Sequence, residues 1–358
     1  MDKNELESLL ETVVRTGGSS LHLIPGRPPC IRVQRRFLVS EHEPVSQQDV
    51  EFLSRDFLFE DHRFRLHTEG RVEVLFLSRT GRRFRTTVAA EGKTLSLSMR
   101  PVAERPPTLD ELELPPQIAD LTRIRSGLVL LTGFFGAGKT ATLAAAIDCI
   151  NRETSRNLVS LESPIEYVHQ PARALLHQRE IGVHVDSFAS GVTQAVRVGA
   201  DVIGVGDIED AATLDAVLTA CESGCLVLAC FEASSVVGAC EEMPNLVLPE
   251  LRERTRERFA SSLQAVVAQT LLPRSHDKGR VPLVEILMAN SAVRQAVAAG
   301  RSAELPAIMA RFCGIGMQTA EAGLRDLLAR HLITPEEARN HSAGHDPFAQ
   351  PVPAASLR

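Results

Sequence analysis

The stretch Gly133-Phe134-Phe135-Gly136-Ala137-Gly138-Lys139-Thr140 restricts what this chain can fold into more than any other. It fits G-x-x-x-x-G-K-[ST], a loop whose backbone N–H groups wrap phosphate oxygens. Such a loop works between a strand and a helix, and both neighbours are legible. Gly127 to Thr132 (GLVLLT) is a short apolar run of the kind that makes a buried strand. Ala141 to Ile150 (ATLAAAIDCI) is rich in good helix formers. A glycine turn that binds nothing needs neither. The helix N-terminus adds unpaired N–H groups and a positive dipole end, so the expected ligand is an anion. By the general pattern of this loop, Lys139 reaches the β- and γ-phosphates of a nucleotide such as ATP, and Thr140 holds Mg²⁺. Ala141 completes the expected contact set. Phe134 and Phe135 are bulky for such a loop and are expected to pack beneath it.

At 358 residues the chain has room for two domains. Its 44% hydrophobic and 23% charged residues are ordinary for a globular protein in water. A net charge of −6 argues against a nucleic-acid footprint, and one Tyr with no Trp leaves little surface for base stacking. No direct nucleic-acid partner is expected. No apolar run approaches the ~18 residues of a membrane span, so no transmembrane segment is expected. Asp2, Lys3, Glu5, Glu7 and Glu11 do not suit a secretory signal. Seven cysteines, an odd number, fit reduced thiols in the cytosol. Cys221, Cys225 and Cys230 cluster, but C-x₃-C-x₄-C is not a zinc spacing, and they are expected to be small buried hydrophobes.

Leu6, Leu9, Leu10, Val13 and Val14 recur at helical spacing over residues 3–16, and Gly17-Gly18 ends that helix. Segments 19–24, 71–77, 83–90 and 93–100 read as strands. Residues 1–100 are therefore expected to form a small α+β domain. Pro101, Pro106, Pro107, Pro115 and Pro116 mark 101–117 as a linker or a run of turns. From 118 the pattern alternates strand and helix, with strands expected at 127–132, 157–161, 202–206 and 225–231, as in an α/β fold with a mostly parallel sheet. Residues 250–340 read as mainly helical with one strand near 281–287. The tail 341–358, rich in Pro, Ala and Ser, is expected to be disordered.

Four segments after the loop carry more information. They are Leu158 to His169 (LVSLESPIEYVH), Gln178-Arg179-Glu180 with Ser187-Phe188, Asp201 to Asp210 (DVIGVGDIED) and Gly224 to Glu232 (GCLVLACFE). With the P-loop, this order resembles the retraction ATPases of type IV pili (PilT-type) in the secretion-ATPase superfamily. The resemblance runs from about residue 4 to 340. It includes Leu21-His22-Leu23 and Pro28 to Val33, then Gln269 to Arg274, Gly279-Arg280-Val281, Ala292-Val293-Arg294 and Gly316 to Thr319. The absence of a C-x₂-C pair favours the retraction branch over the assembly branch with its four-cysteine zinc insert.

That resemblance implies a PAS-like first domain, a RecA-like P-loop ATPase domain over 118–340, and a ring, expected to be a hexamer. ATP would bind between domains and subunits, and its turnover would drive pilus disassembly. The partners would be further copies of the chain or a paralogous retraction ATPase, and the pilus platform protein of the inner membrane. The location would be cytoplasmic, at the inner face of that membrane. Arg83, Arg85 and Arg100 align with first-domain arginines that approach the phosphates in such rings, the role of arginine fingers. Glu162, Glu166 and Asp207 fall at the catalytic carboxylate positions.

Several positions depart from the family pattern. Gly-Glu-apolar-Arg-Asp is replaced by Gly206-Asp207-Ile208-Glu209-Asp210, so an aspartate stands for the catalytic glutamate and a glutamate for the arginine. Asp207 is one methylene short, and a misplacement of about 1 Å can cost on the order of 10²-fold in rate. The two histidines of the His box are Cys225 and Glu232, a weak donor and a group that repels triphosphate. Ser163 and Ser20 stand for aspartates and Thr193 for an arginine, whereas Arg197 is kept. Two readings remain open at this point: a slow retraction-type ATPase, or a nucleotide-binding regulatory subunit without useful turnover.

Overall fold

A computed structural model describes residues 1–33, 36–55, 57–92, 94–276, 279–313 and 316–342. The chain divides into two compact units, Met1–Arg105 and Pro106–Arg358. The tail lies outside the described residues from position 343 onward.

The first unit opens with helix α1 (Lys3–Arg15). A capping box starts it: Asp2 Oδ1 accepts from the N–H groups of Asn4 and Glu5 at 2.7 and 2.9 Å, and Glu5 Oε2 accepts from the Asp2 N–H at 2.6 Å. Then come β1 (Ser20–Leu23), β2 (Cys30–Val33), β3 (Arg36–Val39), α2 (Gln47–Ser54), α3 (Glu60–Glu69), β4 (Arg71–Leu77), β5 (Arg83–Glu91) and β6 (Thr94–Pro101). The strands form one antiparallel sheet in the order β3-β2-β1-β6-β5-β4. Leu21, Leu23, Val88, Leu97 and Met99 line one face and share a core with Leu6, Leu9, Leu10 and Val13 of α1. Because strand side chains alternate, the neighbours of these residues point the other way. Arg85 lies opposite Arg100 in the register, and Arg83 is two residues from Arg85, so all three arginines share the face away from that core. The strands β2 and β3 are additions to the sequence reading. Every residue of β3 is exposed, so no alternation marks it.

The second unit contains α4 (Gln117–Thr122), β7 (Gly127–Thr132), α5 (Lys139–Glu153), β8 (Asn157–Glu162), β9 (Leu175–Glu180), α6 (Phe188–Arg197), β10 (Val202–Val205), α7 (Ala211–Glu222) and β11 (Leu226–Phe231). They are followed by α8 (Val236–Glu242), α9 (Arg252–Ser262), β12 (Leu263–Pro273), β13 (Arg280–Met288), α10 (Ser291–Ala298), α11 (Leu305–Arg311), α12 (Ala320–Ala329) and α13 (Pro335–His341). The sheet order is β13-β12-β7-β11-β10-β8-β9, and every neighbouring pair is parallel except β12 with β13. Its central strands are apolar without interruption because both faces are covered. Leu128, Leu130, Val159, Leu161, Ile203 and Val227 point into a core with α6 and α7. Val129, Leu131, Leu158, Val202 and Leu226 point into a second core with Leu143, Ile147 and Ile150 of α5. Within the proline-rich stretch, Leu109, Leu112 and Leu114 pack on that second core.

The expectation of a mainly helical region over 250–340 needs correcting at one place. The strand near 281–287 is present as β13, but Leu263–Pro273 is an 11-residue strand rather than helix. Its sequence, LQAVVAQTLLP, mixes helix formers with β-branched residues and is ambiguous by itself. Hydrogen bonding on both edges, to β7 and β13, decides for strand. The edge strand β9 was also not legible from the pattern.

Candidate functional site

A cleft of about 520 Å³ opens at the carboxyl ends of β7, β8, β10 and β11. Open parallel sheets bind ligands at this edge, because loops leaving the strands there converge on one crevice.

One side of the cleft is the glycine loop between β7 and α5. Gly138 precedes the helix with φ +94°, and no side chain caps the helix N-terminus. The first N–H groups of a 15-residue helix are thus left for a ligand. Lys139 Nζ donates to the Gly133 carbonyl at 2.6 Å and the Phe134 carbonyl at 3.3 Å, folded back over its own loop. Gln269 of β12 braces the loop from below. Its Nε2 donates to the Ala137 carbonyl at 2.8 Å, and its Oε1 accepts from Thr142 Oγ1 at 2.8 Å. A Cβ at Gly138 would sit 2.7 Å from Gln269 Nε2, and one at Gly133 would collide with the Gln269 carbonyl. Glycine at these positions therefore reflects close approach to β12 as well as backbone angle. Thr140 is exposed and Ala141 half-buried, and both line the cleft with Gly136 and Ala137.

Phe134 and Phe135 do not pack beneath the loop. They are 62% and 96% exposed. Ala137 and Gln269 already fill the space under it, which leaves both rings outward.

The other side of the cleft is built from side chains. Glu162 ends β8 and is 6% exposed. Its Oε1 accepts from Ser160 Oγ at 2.7 Å and from Gln178 Nε2 at 2.9 Å. Burial pushes its carboxyl up, and the two donors oppose that shift. Glu166 and Ser163 lie on the loop that follows and also line the cleft. Asp207 follows β10 and is half-buried. Burial raises its carboxyl above the usual range, Glu209 adds to this, and Lys139 opposes it. Glu209 and Glu232 face the same opening. Five carboxylates (Glu162, Glu166, Asp207, Glu209, Glu232) thus share the lining with two cations, Lys139 and Arg280. Arg280, at the start of β13, donates from Nη1 to the Gly136 carbonyl at 3.5 Å.

The structure does not bring every sequence candidate to this cleft. Cys225 lies at the opposite end of β11, buried, with its thiol donating to the Ala200 carbonyl at 3.2 Å. Its replacement of a histidine therefore does not alter this cleft. The Thr193 hydroxyl bonds the Ala189 carbonyl within α6. Arg83, Arg85 and Arg100 belong to the first unit. Gln178, Gln269 and Arg280 were not assigned roles from sequence. The signal for Gln269 was a polar residue inside an apolar run. Among the described residues, no group of three His, Cys, Asp or Glu side chains is placed to hold a metal ion alone.

A phosphate loop between a central parallel strand and an uncapped helix, facing carboxylates on neighbouring strand ends, defines a P-loop nucleotide-binding protein of the parallel-sheet ATPase class. The chain belongs to the Type II/IV secretion system protein family, whose model matches residues 65–314. It is 33% identical to YggR of Escherichia coli K12, over 88% of this chain and 95% of that one. It is 30% identical to the type IV pilus ATPase PilU of Pseudomonas aeruginosa, over 94% of this chain and 88% of the relative. The crystal structure of the pilus retraction motor PilT with bound ADP superimposes with a TM-score of 0.84 at 29% identity, covering 97% of each chain. The chain is thus a divergent relative of the pilus retraction ATPases. Among the described residues, no helix is long and apolar enough to cross a membrane.

Proposed function

We propose that this chain binds ATP with Mg²⁺ and hydrolyses it slowly, as a retraction-type motor working in a ring of like subunits at the cytoplasmic face of a membrane. One observation carries the reading: the complete P-loop, with its uncapped helix end, opens onto the same cleft as Glu162, Glu166 and Asp207. In that cleft the loop N–H groups and Lys139 hold the phosphates, and Thr140 is the protein's ligand to the metal. Mg²⁺ supplies neutralisation of phosphate charge. A carboxylate among Asp207, Glu162 and Glu166 orients a water and accepts its proton. The water oxygen bonds to the γ-phosphorus, the bond to the bridging oxygen breaks, and that electron pair leaves with ADP. Arg83, Arg85 and Arg100 share one face of the first unit's sheet, which supports a joint role on phosphate charge. The short reach of Asp207 and the reversed charge at Glu209 attenuate turnover. The partners of this reading are further copies of the chain and a membrane platform protein of the pilus.

The excess of carboxylates in the cleft favours a second reading, a nucleotide-binding subunit that biases a ring built from an active paralogue. Steady-state ATP hydrolysis and nucleotide binding of the wild type, Asp207→Glu and Lys139→Ala decide between them. Turnover above the Lys139→Ala background supports the motor. Binding without turnover, unrestored by Asp207→Glu, supports the regulator.

A further inference from the structure

The loop between β8 and β9 carries Glu166 into the cleft, and Glu162 stands at its start. A loop that presents two reacting carboxylates must be held in place. At its far end, His169 Nδ1 lies 3.4 Å from Asp148 Oδ1 of α5, and Asp148 Oδ2 takes an ion pair from Arg152 at 2.6 Å. Asn151 Nδ2, also on α5, donates to the Gln170 carbonyl at 2.9 Å. The middle of the loop is held from β9 instead. Glu180 Oε2 accepts from the Ile165 N–H at 3.1 Å. Two residues earlier on the same strand, Gln178 makes three bonds with one amide. Its Oε1 accepts from the His169 N–H at 3.0 Å, and its Nε2 donates to the Tyr167 carbonyl at 2.8 Å and to Glu162 Oε1 at 2.9 Å. Only one orientation of the amide satisfies all three, because Tyr167 and Glu162 offer acceptors and His169 a donor. The register places Gln178 beside Ser160 in the parallel pair, so both donors converge on the same Glu162 oxygen.

We propose that Gln178 is a positioning residue, a single amide that aims the Glu162 carboxylate and fixes the loop bearing Glu166 relative to it. The proposal rests on the motor reading above, in which those carboxylates serve hydrolysis. A clamp of this kind leaves the P-loop untouched, so its loss acts on turnover rather than on nucleotide affinity. It also stabilises the ionised form of Glu162, since an N–H pointed at a carboxylate oxygen is held more strongly when that oxygen is charged. Other charged or titratable groups about Glu162 are Glu166 and Tyr167 on the loop and Cys230 on β11, with Lys139, Asp207, Glu209, Glu232 and Arg280 in the same cleft.

The test uses the full chain as wild type, Gln178→Leu and Ser160→Ala. Each is labelled with ¹³C at the glutamate side-chain carboxyl, and the Glu162 resonance is assigned by its absence in Glu162→Gln. The Glu162 titration should move to higher pH in both variants, because each loses one donor to the same oxygen. In Gln178→Leu, kcat for ATP should fall ~10-fold, the loss of one hydrogen bond to a charged group, with KM changed less than about threefold. The acid limb of its kcat–pH profile should move up with the titration. An unmoved Glu162 titration in Gln178→Leu overturns the proposal, as does a fall in activity expressed only in KM. If the wild type shows no turnover, the motor reading fails on that result, and the carboxyl titration still decides whether Gln178 holds Glu162.

Discussion

One side of the cleft is made of backbone and the other of side chains. In the proposed reading the glycine loop binds through N–H groups whose positions follow from Gly133, Gly138 and the brace at Gln269. Its side chains at Phe134 and Phe135 point outward, so bulk is tolerated there without disturbing the N–H groups. The facing wall would work through carboxylate oxygens at the tips of Glu162, Glu166 and Asp207, where one methylene changes the reach. On that reading, bulk can change in the first wall without moving the groups that bind, whereas small changes in the second bear on chemistry.

The largest effect that would break this contrast concerns Lys139, the charged side chain of the backbone wall. Lys139→Ala is expected to reduce turnover to background and weaken nucleotide binding by ~10²-fold, the scale of a lost charge-assisted contact. Titration calorimetry with ATP and Mg²⁺ measures it. Unchanged affinity would mean that the loop does not hold the phosphates. On the other wall, Asp207→Glu restores a methylene and should raise kcat by about 10-fold or more, read as phosphate release. A fall in kcat would show that the aspartate is adapted to its setting.

Charge gives a smaller effect. Glu232 is exposed at the rim, and Glu232→Gln should tighten Mg–nucleotide binding by about fivefold, an interaction of ~1 kcal/mol between exposed charges. High salt should erase the difference, and a gain that persists in 1 M salt would point to something other than charge. For stability without nucleotide, the sign follows from Asp207. Burial and Glu209 hold its folded carboxyl above the usual range, so its charge weakens the folded state once pH passes the unfolded value. Asp207→Asn should therefore raise the melting temperature at pH 7, and the gain should shrink toward about pH 4. A constant gain across that range would exclude ionisation as its cause. Smallest of all, Phe134→Ala and Phe135→Ala should each leave stability within about 0.5 kcal/mol, as expected for exposed positions.

The same contrast governs what the sequence makes legible. The strand before the loop, the loop and the helix after it are contiguous, and their apolar and glycine patterns identify them without any long-range contact. The carboxylates at Glu162, Glu166 and Asp207 come from separate segments and were assigned through the family resemblance; topology brings them to one opening. The brace at Gln269 was not legible because β12 reads equally as helix until β7 and β13 flank it. Cys225 and Glu232 look equivalent as substitutions in a line of text, yet β11 carries them to opposite ends, and only Glu232 lines the cleft. The strand β3 gave no pattern because all four of its residues are exposed, and β9 gave little because none of its residues is fully buried. Phe134 and Phe135 were expected inside because hydrophobicity alone cannot show that the space is already taken.

The buried thiols carry a consequence for experiments on this chain. Burial pushes Cys221, Cys230 and Cys240 up to about 12 and raises Cys225 as well. At neutral pH these four hold almost no thiolate, the form that reacts with alkylating reagents. Cys30, Cys149 and Cys313 are partly accessible, and of these Cys149, which burial raises, should react more slowly than an open thiol. Native alkylation should thus stop at three adducts, and further mass gain would time the opening of the sheet. Cys230 sits in the central strand under the cleft, with Lys139, Asp207 and Glu162 about it. The rate at which it alone becomes modified, with and without nucleotide, would report occupancy of the site in a preparation that hydrolyses nothing.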